Sequence, residues 1–315
     1  ILYFIKLIMK LKIAILFLLI MSTYSFRPTN NILLMKMSKN TKPIHIKKIN
    51  SYIKITRPEG LPYEFALPLF GSYLATKSIE TLLNPYAILM GIISAIVASN
   101  SMVINDYYDY KLGTDKDKSL KVLNKKDLTT EEVVHFSTYL GLLSYYLSSL
   151  INNNLIRHII SNTIIVTYLY TPVFKNIPLL KNIIVSLIIT QSPLTGALIV
   201  NGDIKSVIPA ITYLFNFMMW QELMLDIIDL DGDKKNNIKT IPVLYGYKNA
   251  NIIGLGFLIL GSIIPYGLSI KFILLQLPLL LINIYAIKAN KILKKLSLKI
   301  SKIIMLISGI YMCCI

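Results

Sequence analysis

The sequence predicts an all-α, polytopic membrane protein, a bundle of nine transmembrane helices. Three observations carry this expectation. The 315 residues are 54% hydrophobic and only 16% charged, with a mean hydropathy of +0.60, a composition suited to lipid rather than water. Apolar runs that cross, or nearly cross, roughly 30 Å of hydrocarbon at about 1.5 Å per residue recur along the chain. Basic residues crowd the loops on one side of these runs and are sparse on the other. Short polar loops separate most runs, so a helical bundle is what satisfies the backbone in lipid.

The first 58 residues hold no Asp or Glu and open with Lys6, Lys10 and Lys12 followed by "IAILFLLIM". That is the layout of a secretory signal peptide, with Thr23 and Ser25 suited to cleavage after Ser25. The remainder, "FRPTNNILLMKMSKNTKPIHIKK", is basic, hydroxylated and acid-free like an organelle transit peptide. Residues 1–50 therefore read as a targeting leader and 51–315 as the membrane domain. The two-part leader resembles that of algae with secondary plastids and predicts a plastid membrane. The mitochondrial inner membrane and the endoplasmic reticulum are alternatives, as is an uncleaved tenth helix with a basic tail. The nine runs fall at about 61–78, 85–104, 133–151, 156–171, 179–201, 207–225, 250–268, 271–288 and 301–315. The sequence starts with Ile rather than Met and its last run is short, the pattern expected of a fragment.

Lys and Arg number 33 against 16 acids, a net charge of +17. Such a charge can signal nucleic acid, but here the basic residues sit in membrane loops and not on one soluble face. One side collects eight basic residues from Arg27 to Arg57, six from Lys111 to Lys126, Lys175 and Lys181, Lys234, Lys235, Lys239 and Lys248, and six from Lys288 to Lys302. The other side has Lys77, Arg157, Lys205 and Lys271. The crowded side is the cytosolic, stromal or matrix face. Adjacent Cys313 and Cys314 and the scattered His45, His135 and His158 give neither a thiol or histidine metal site nor a Ser/His/Asp triad.

Seven of the 16 acids lie in 106–132 and five more in 222–233. Four predicted helices separate the two segments, so both open on the lysine-rich face. In "NDYYDYKLGTD", Asp106 and Asp109 share a helical face beside Asn105, with Asp115 after Gly113. In "DIIDLDGDKKNNIKTIPVLYG", Asp226, Asp229 and Asp233 fall at i, i+3 and i+7, one face of a continuous helix, with Asp231 off it. Carboxylates gathered this way repel unless a cation neutralises them. Oxygen donors without His or Cys suit Mg²⁺, or Ca²⁺, and Mg²⁺ shares its shell with phosphate oxygens, so a phosphorylated substrate is expected. Lys175 and Lys239, in loops on the same face, are candidates to meet that phosphate.

These two segments resemble the aspartate-rich motifs of the UbiA superfamily of intramembrane aromatic prenyltransferases. "TRPEGLP" is similar to the family's Arg-Pro lead-in, and "YLYTPVFK", with Tyr170 and Lys175, to its Tyr-rich segment ending in Lys. The resemblance spans about residues 51–315 and implies the family's usual nine-helix bundle. The last Asp of the first motif is displaced from position 113 to Asp115, a G-x-D variant similar to the naphthoquinone branch, and no Ser-Gly follows in "KSLKVLNKKDLT".

What the resemblance implies is an enzyme. Mg²⁺ ions held by Asp106 and Asp109, and by Asp226 and Asp229, with Asp115 and Asp233 as further metal ligands, bind the pyrophosphate of a prenyl diphosphate. Charge on metal and lysine stabilises the leaving group as an isoprenoid passes to an aromatic, prenylquinone-precursor acceptor. Arg57, Asn105, Tyr170, Lys175 and Lys239 are the expected substrate-binding residues. The partners are prenyl diphosphate, acceptor and bilayer, without nucleic acid. A non-quinone acceptor, chlorophyllide or a glycerol-phosphate lipid, is the alternative within the superfamily. A cation channel or transporter is the alternative outside it, disfavoured because the acids lie at one mouth and not at mid-membrane.

Overall fold

A computed structural model of the chain describes residues 44–114, 119–266, 269–286 and 291–315. Most of the expected leader lies outside the described residues, as does Asp115. The first described helix, α1 (Ile44–Ile55), crosses residue 50, where a boundary between leader and domain was expected. It clamps onto the loop and helix that follow the first aspartate motif. Lys47 meets Asp127 at 2.8 Å, Lys48 pairs with Glu132, and Tyr52 packs edge-on against Phe136 with ring centroids 4.9 Å apart.

Helix α2 (Leu61–Thr76) begins at Leu61-Pro62, where Pro costs no hydrogen bond. Glu64, an acid inside the first apolar run, sits in its first turn, where the positive end of the helix dipole favours it. Helix α3 (Pro85–Leu112) is capped by Asn84, whose Oδ1 accepts from the amides of Tyr86 at 2.9 Å and Ala87 at 3.3 Å. Its 28 residues extend about 42 Å at the usual helical rise, longer than the hydrocarbon is thick, so its last turns emerge from the membrane carrying Asp106 and Asp109. Gly113, at φ 75°, then closes the helix by giving its amide to the carbonyls of Asp109 and Tyr110.

Helix α4 (Thr130–Ser149) starts with a reciprocal cap, Thr129 to the Glu132 amide and Glu132 back to the Thr129 amide. Helix α5 (Asn154–Leu169) ends in a widened π-turn, Tyr170–Phe174. Then come α6 (Leu180–Ile199), α7 (Ile208–Ile228), the short α8 (Leu230–Lys235), α9 (Ile241–Ile263), α10 (Ile270–Ala286) and α11 (Lys291–Cys314). Within α9 the chain bends at Gly246, whose φ of 79° and ψ of 159° no other residue adopts readily.

The helices pack as a curved series: α4 on α3, α3 on α2, α2 on α6, α6 on α7, α7 on α9, then α10 and α11, with α11 returning to α7. Helix α7 is the hub, with Phe217, Met219, Trp220, Leu223 and Met224 all buried. Polar groups there are paired between helices, as lipid demands. The Trp220 indole donates to Asn283 Oδ1 at 3.0 Å, and the Tyr213 hydroxyl to Ser308 Oγ at 3.1 Å. The α2–α6 crossing is closer still. A Cβ on Gly71 would lie 1.9 Å from the Pro193 carbonyl oxygen, and one on Gly196 1.8 Å from that of Pro68.

Among the described residues a helix lies on each of the predicted apolar runs. Four stretches, Pro85–Leu112, Leu180–Ile199, Ile241–Ile263 and Leu296–Cys314, are long and apolar enough to cross a membrane by length and composition. The all-helical membrane architecture is as expected, whereas the count of nine crossings exceeds these four.

Candidate active site

The site grows from the end of α3. Asp106 and Asp109 are both buried on its inward face, as i, i+3 spacing requires. Asp106 Oδ1 receives Arg57 Nη2 at 2.6 Å and Lys121 Nζ at 2.8 Å. Asp109 pairs with Lys175 through Oδ1 and accepts from Asn105 Nδ2 at 3.1 Å through Oδ2. Asn105 in turn accepts from Thr171 Oγ1 at 3.1 Å, which ties α3 to the π-turn after α5. That turn aims Lys175, whose amide closes on the Tyr170 carbonyl at 2.8 Å. Arg57 reaches its partner from a left-handed backbone, φ 51°, immediately before Pro58.

The second cluster forms where α6 and α7 meet. Asp226 is buried and pairs with Lys181, the second residue of α6, through Oδ1. Its Oδ2 accepts from Asn182 Nδ2 at 3.0 Å. The clusters face each other. Tyr170 lies within electrostatic reach of Glu222, Asp226, Asp109 and Asp233 alike, and Asn236 Nδ2 donates to the Thr114 carbonyl at 3.3 Å, joining the two acidic segments directly.

The sequence expectation of one continuous face for Asp226, Asp229 and Asp233 is corrected by the backbone. Helix α7 ends at Ile228, Asp229 turns with φ −90° and ψ 6°, and α8 starts afresh at Leu230. Asp229 is therefore exposed while Asp226 is buried, and Asp233 is half-buried. Burial, with Asp226 and Asp229 nearby, pushes the Asp233 carboxyl above its usual range, partly offset by Lys181 and a hydrogen bond from Thr240 at 3.2 Å. Lys239 is exposed at the start of α9 and, among the described residues, makes no bond to these carboxylates. Lys121, Lys181, Asn182 and Thr171 were not singled out from the sequence. Lys181 carried a legible signal, since a lysine two residues inside an apolar run needs a counter-charge.

The donor set is chemically right for a hard divalent ion: carboxylate and amide oxygens, with no His or Cys among the contacts described. Among the described residues no three acids stand close enough to enclose an ion unaided. Instead Arg57, Lys121, Lys175 and Lys181 neutralise the three buried carboxylates. The carboxylates of Asp229 and Asp233, in no ion pair among the described residues, remain at the same mouth, beside side chains that can meet a phosphate.

The sequence pattern of the UbiA prenyltransferase family matches residues 65–308. The chain belongs to the UbiA prenyltransferase family. It is a prenyltransferase, an enzyme integral to a membrane. Curated relatives in this family include the digeranylgeranylglyceryl phosphate synthase of Pyrococcus furiosus, 27% identical over 251 residues, 77% of this chain and 86% of that one. The enzyme of the same name from Methanosphaera stadtmanae is 30% identical over 206 residues, 64% of this chain and 71% of its own. A solved digeranylgeranylglyceryl phosphate synthase aligns with a TM-score of 0.65 at 22% identity, covering 85% of this chain and 99% of that one. A UbiA homologue from Archaeoglobus fulgidus, bound to GPP and Mg²⁺, aligns at 0.59 and 18% identity, covering 84% and 100%. The expectations of quinone biosynthesis and a plastid find no support among these relatives, whose names point to archaeal lipid synthesis.

Proposed function

We propose that this UbiA prenyltransferase transfers an isoprenoid from a prenyl diphosphate to the hydroxyl of a glycerol-phosphate lipid, releasing pyrophosphate. The observation that carries it is the approach of two acidic clusters, whose buried carboxylates Asp106, Asp109 and Asp226 are each paired with a basic side chain, at one mouth of an apolar bundle. A diphosphate headgroup with a lipid tail matches that division. The choice of acceptor is supported by relatives from several organisms named for digeranylgeranylglyceryl phosphate, a glyceryl phosphate bearing two prenyl groups.

The residues have separable tasks. Asp106 and Asp109, with Asp226 and Asp229, would hold Mg²⁺, which when bound would supply positive charge for the leaving pyrophosphate. Lys175, Lys181, Lys121 and Arg57 surround the same carboxylates and stand ready to meet phosphate oxygens, so that charge developing on the leaving group is met by donors already gathered at the mouth. Asn105 and Asn182 hold Asp109 and Asp226 in orientation through their amides. The helices below exclude water, which prevents hydrolysis of the activated prenyl group.

The test offers purified protein in detergent or liposomes labelled geranylgeranyl diphosphate with Mg²⁺, and either geranylgeranylglyceryl phosphate or dihydroxynaphthoate. Transfer to the glycerol-phosphate lipid alone supports the proposal. Transfer to the naphthoate alone overturns the acceptor while keeping the diphosphate chemistry.

A further inference from the structure

Most buried Ser and Thr hydroxyls in this bundle satisfy themselves by donating to a carbonyl one turn back in their own helix. Ser72, Ser144, Thr163, Thr190 and Ser262 all do so at 2.7–3.0 Å. Others, such as Thr171 and Ser137, bond a side chain on a neighbouring helix. Among the described residues, Thr167 Oγ1 on α5 and Ser186 Oγ on α6 are buried without any hydrogen-bond partner, and so is Asn182 Oδ1, one turn from Ser186. Their residues are 4%, 0% and 0% exposed. Leaving such atoms unpaired forfeits their hydration without return, which a fold tolerates where a ligand completes the set.

Register puts the two hydroxyls at about one depth and the Asn182 amide one turn nearer the mouth. Helices α5 and α6 are joined by the π-turn and run in opposite directions, α5 toward the mouth and α6 away from it. Gln191 of α6 donates to Thr163 Oγ1 of α5, which fixes their alignment deep in the bundle. One turn nearer the mouth from this pair come Thr167 on one helix and Ser186 on the other. A further turn brings Thr171, bonded to Asn105, and Asn182, bonded to Asp226. Thr163, Thr167 and Thr171, like Asn182, Ser186 and Thr190, are buried stripes at i, i+4, i+8. A prenyl tail has no use for such a stripe, whereas an alcohol has.

We propose that Thr167, Ser186 and Asn182 form a subsite for the acceptor's hydroxyl, about one helical turn below the carboxylates. The two hydroxyls donate to or accept from the alcohol oxygen, and Asn182 Oδ1 accepts its proton in a hydrogen bond, while the same amide's Nδ2 stays on Asp226. The nucleophilic oxygen is thereby held beside the cluster that binds the diphosphate. These are positioning residues for the acceptor. This assignment rests on the glycerol-phosphate reading, because a free alcohol is what that acceptor presents.

The experiment compares geranylgeranylglyceryl phosphate with its deoxy analogue, lacking the free hydroxyl, in thermal-shift binding titrations and, for the hydroxyl lipid, in turnover. Wild type is expected to bind the hydroxyl lipid roughly tenfold more tightly than the deoxy lipid, the size of one or two buried hydrogen bonds. Ser186→Ala and Thr167→Val abolish that preference and raise the acceptor KM by a similar factor, while the KM for geranylgeranyl diphosphate stays within about twofold. Thr167→Ser restores the preference. Because each removed hydroxyl is unpartnered in the protein alone, both variants melt at or above the wild-type temperature without lipid, so a folding defect is visible separately. Equal binding of the two lipids by wild type, or a preference that survives both variants, overturns the subsite. Absence of both binding and transfer with either lipid overturns the acceptor reading and the subsite with it.

Discussion

Lys181 and Asp226 are paired inside the protein, their side chains 9% and 5% exposed, at the point where α6 and α7 bring the second acidic cluster into the bundle. Two groups this dry are held by each other. Removing one strands the other, a defect that typically costs about 3–5 kcal/mol for a buried pair. Lys181→Met is expected to lower the melting temperature in detergent sharply, and Mg²⁺ with pyrophosphate to recover part of the loss by giving Asp226 another cation. An unchanged melting temperature in the variant refutes the pairing.

Asp109 is held on both oxygens, by Lys175 and by Asn105, so its charge matters more than its shape. Asp109→Asn keeps the volume but replaces one of its two accepting oxygens with a donor and removes the charge that a metal-bound diphosphate needs. Prenyl transfer is expected to fall by roughly 10²–10³-fold, the scale of losing one electrostatic element of transition-state stabilisation. The melting temperature should fall as well, because the mostly buried Lys175 loses its counter-charge. Chelation of Mg²⁺ by EDTA abolishes wild-type transfer to the same background, and the two losses do not add. Residual activity in EDTA equal to that with Mg²⁺ excludes the metal reading.

The first aspartate pair and its helical face were legible in the sequence, because a single uninterrupted helix carries Asn105, Asp106 and Asp109 and spacing alone sets their direction. The second was only half legible. Nothing in "DIIDLDGDKK" marks the break at Asp229 that separates buried Asp226 from exposed Asp229, since a two-helix corner is decided by tertiary context and not by local propensity. The neutralising residues were hidden for the same reason. Lys121 and Lys181 look like ordinary positive-inside lysines until the fold brings them to Asp106 and Asp226. The unpartnered hydroxyls on α5 and α6 could not be found by pattern at all, because their stripes match those of self-satisfied Ser and Thr elsewhere in the bundle.

Arg57 binds Asp106 from a left-handed backbone, φ 51°. That geometry costs a non-glycine residue about 1–2 kcal/mol. Arg57→Gly removes the strain along with the guanidinium, so stability is expected to change by no more than about 1 kcal/mol, the loss of a part-exposed ion pair roughly cancelling the relief. Activity should nonetheless fall, since Lys121 alone is left on Asp106. A variant with full activity would show that Arg57 serves the backbone turn and not the substrate.

The α2–α6 crossing gives a structural control. Gly196→Ala places a methyl 1.8 Å from the Pro68 backbone oxygen, and no side chain can rotate aside because the opposing atoms are helix backbone. The two helices must separate, and folded yield in membranes is expected to collapse. Gly256→Ala on α9 meets nothing within 4 Å and should be neutral or stabilise by about 0.5–1 kcal/mol through helix propensity. Equal yields from the two variants would contradict the close crossing.

The clamp of α1 on α4 predicts a pH dependence of known sign. The hydrogen bond and charge of Lys48, with the Thr129 amide, hold the Glu132 carboxyl below its ordinary 4.5. Its contribution to stability is therefore fully present above about pH 4.5 and is lost as pH falls through the lowered value. Lys48 is shifted the other way, above 10.5, by the same partner, so its share is present below about pH 10.5 and lost as pH rises beyond the raised value. Since Glu132 also closes the cap of α4, acidification should loosen two structures together: the start of α4 and the seat of α1. Hydrogen exchange of amides in Ile44–Ile55 and in the first turn of α4, corrected for intrinsic rate, should accelerate below about pH 4.5 in wild type. In Glu132→Gln the exchange should already be fast at neutral pH and flat across the acid range. A wild-type profile that parallels the variant's would mean that α1 is held by Tyr52 on Phe136 and by Lys47 on Asp127 without help from Glu132.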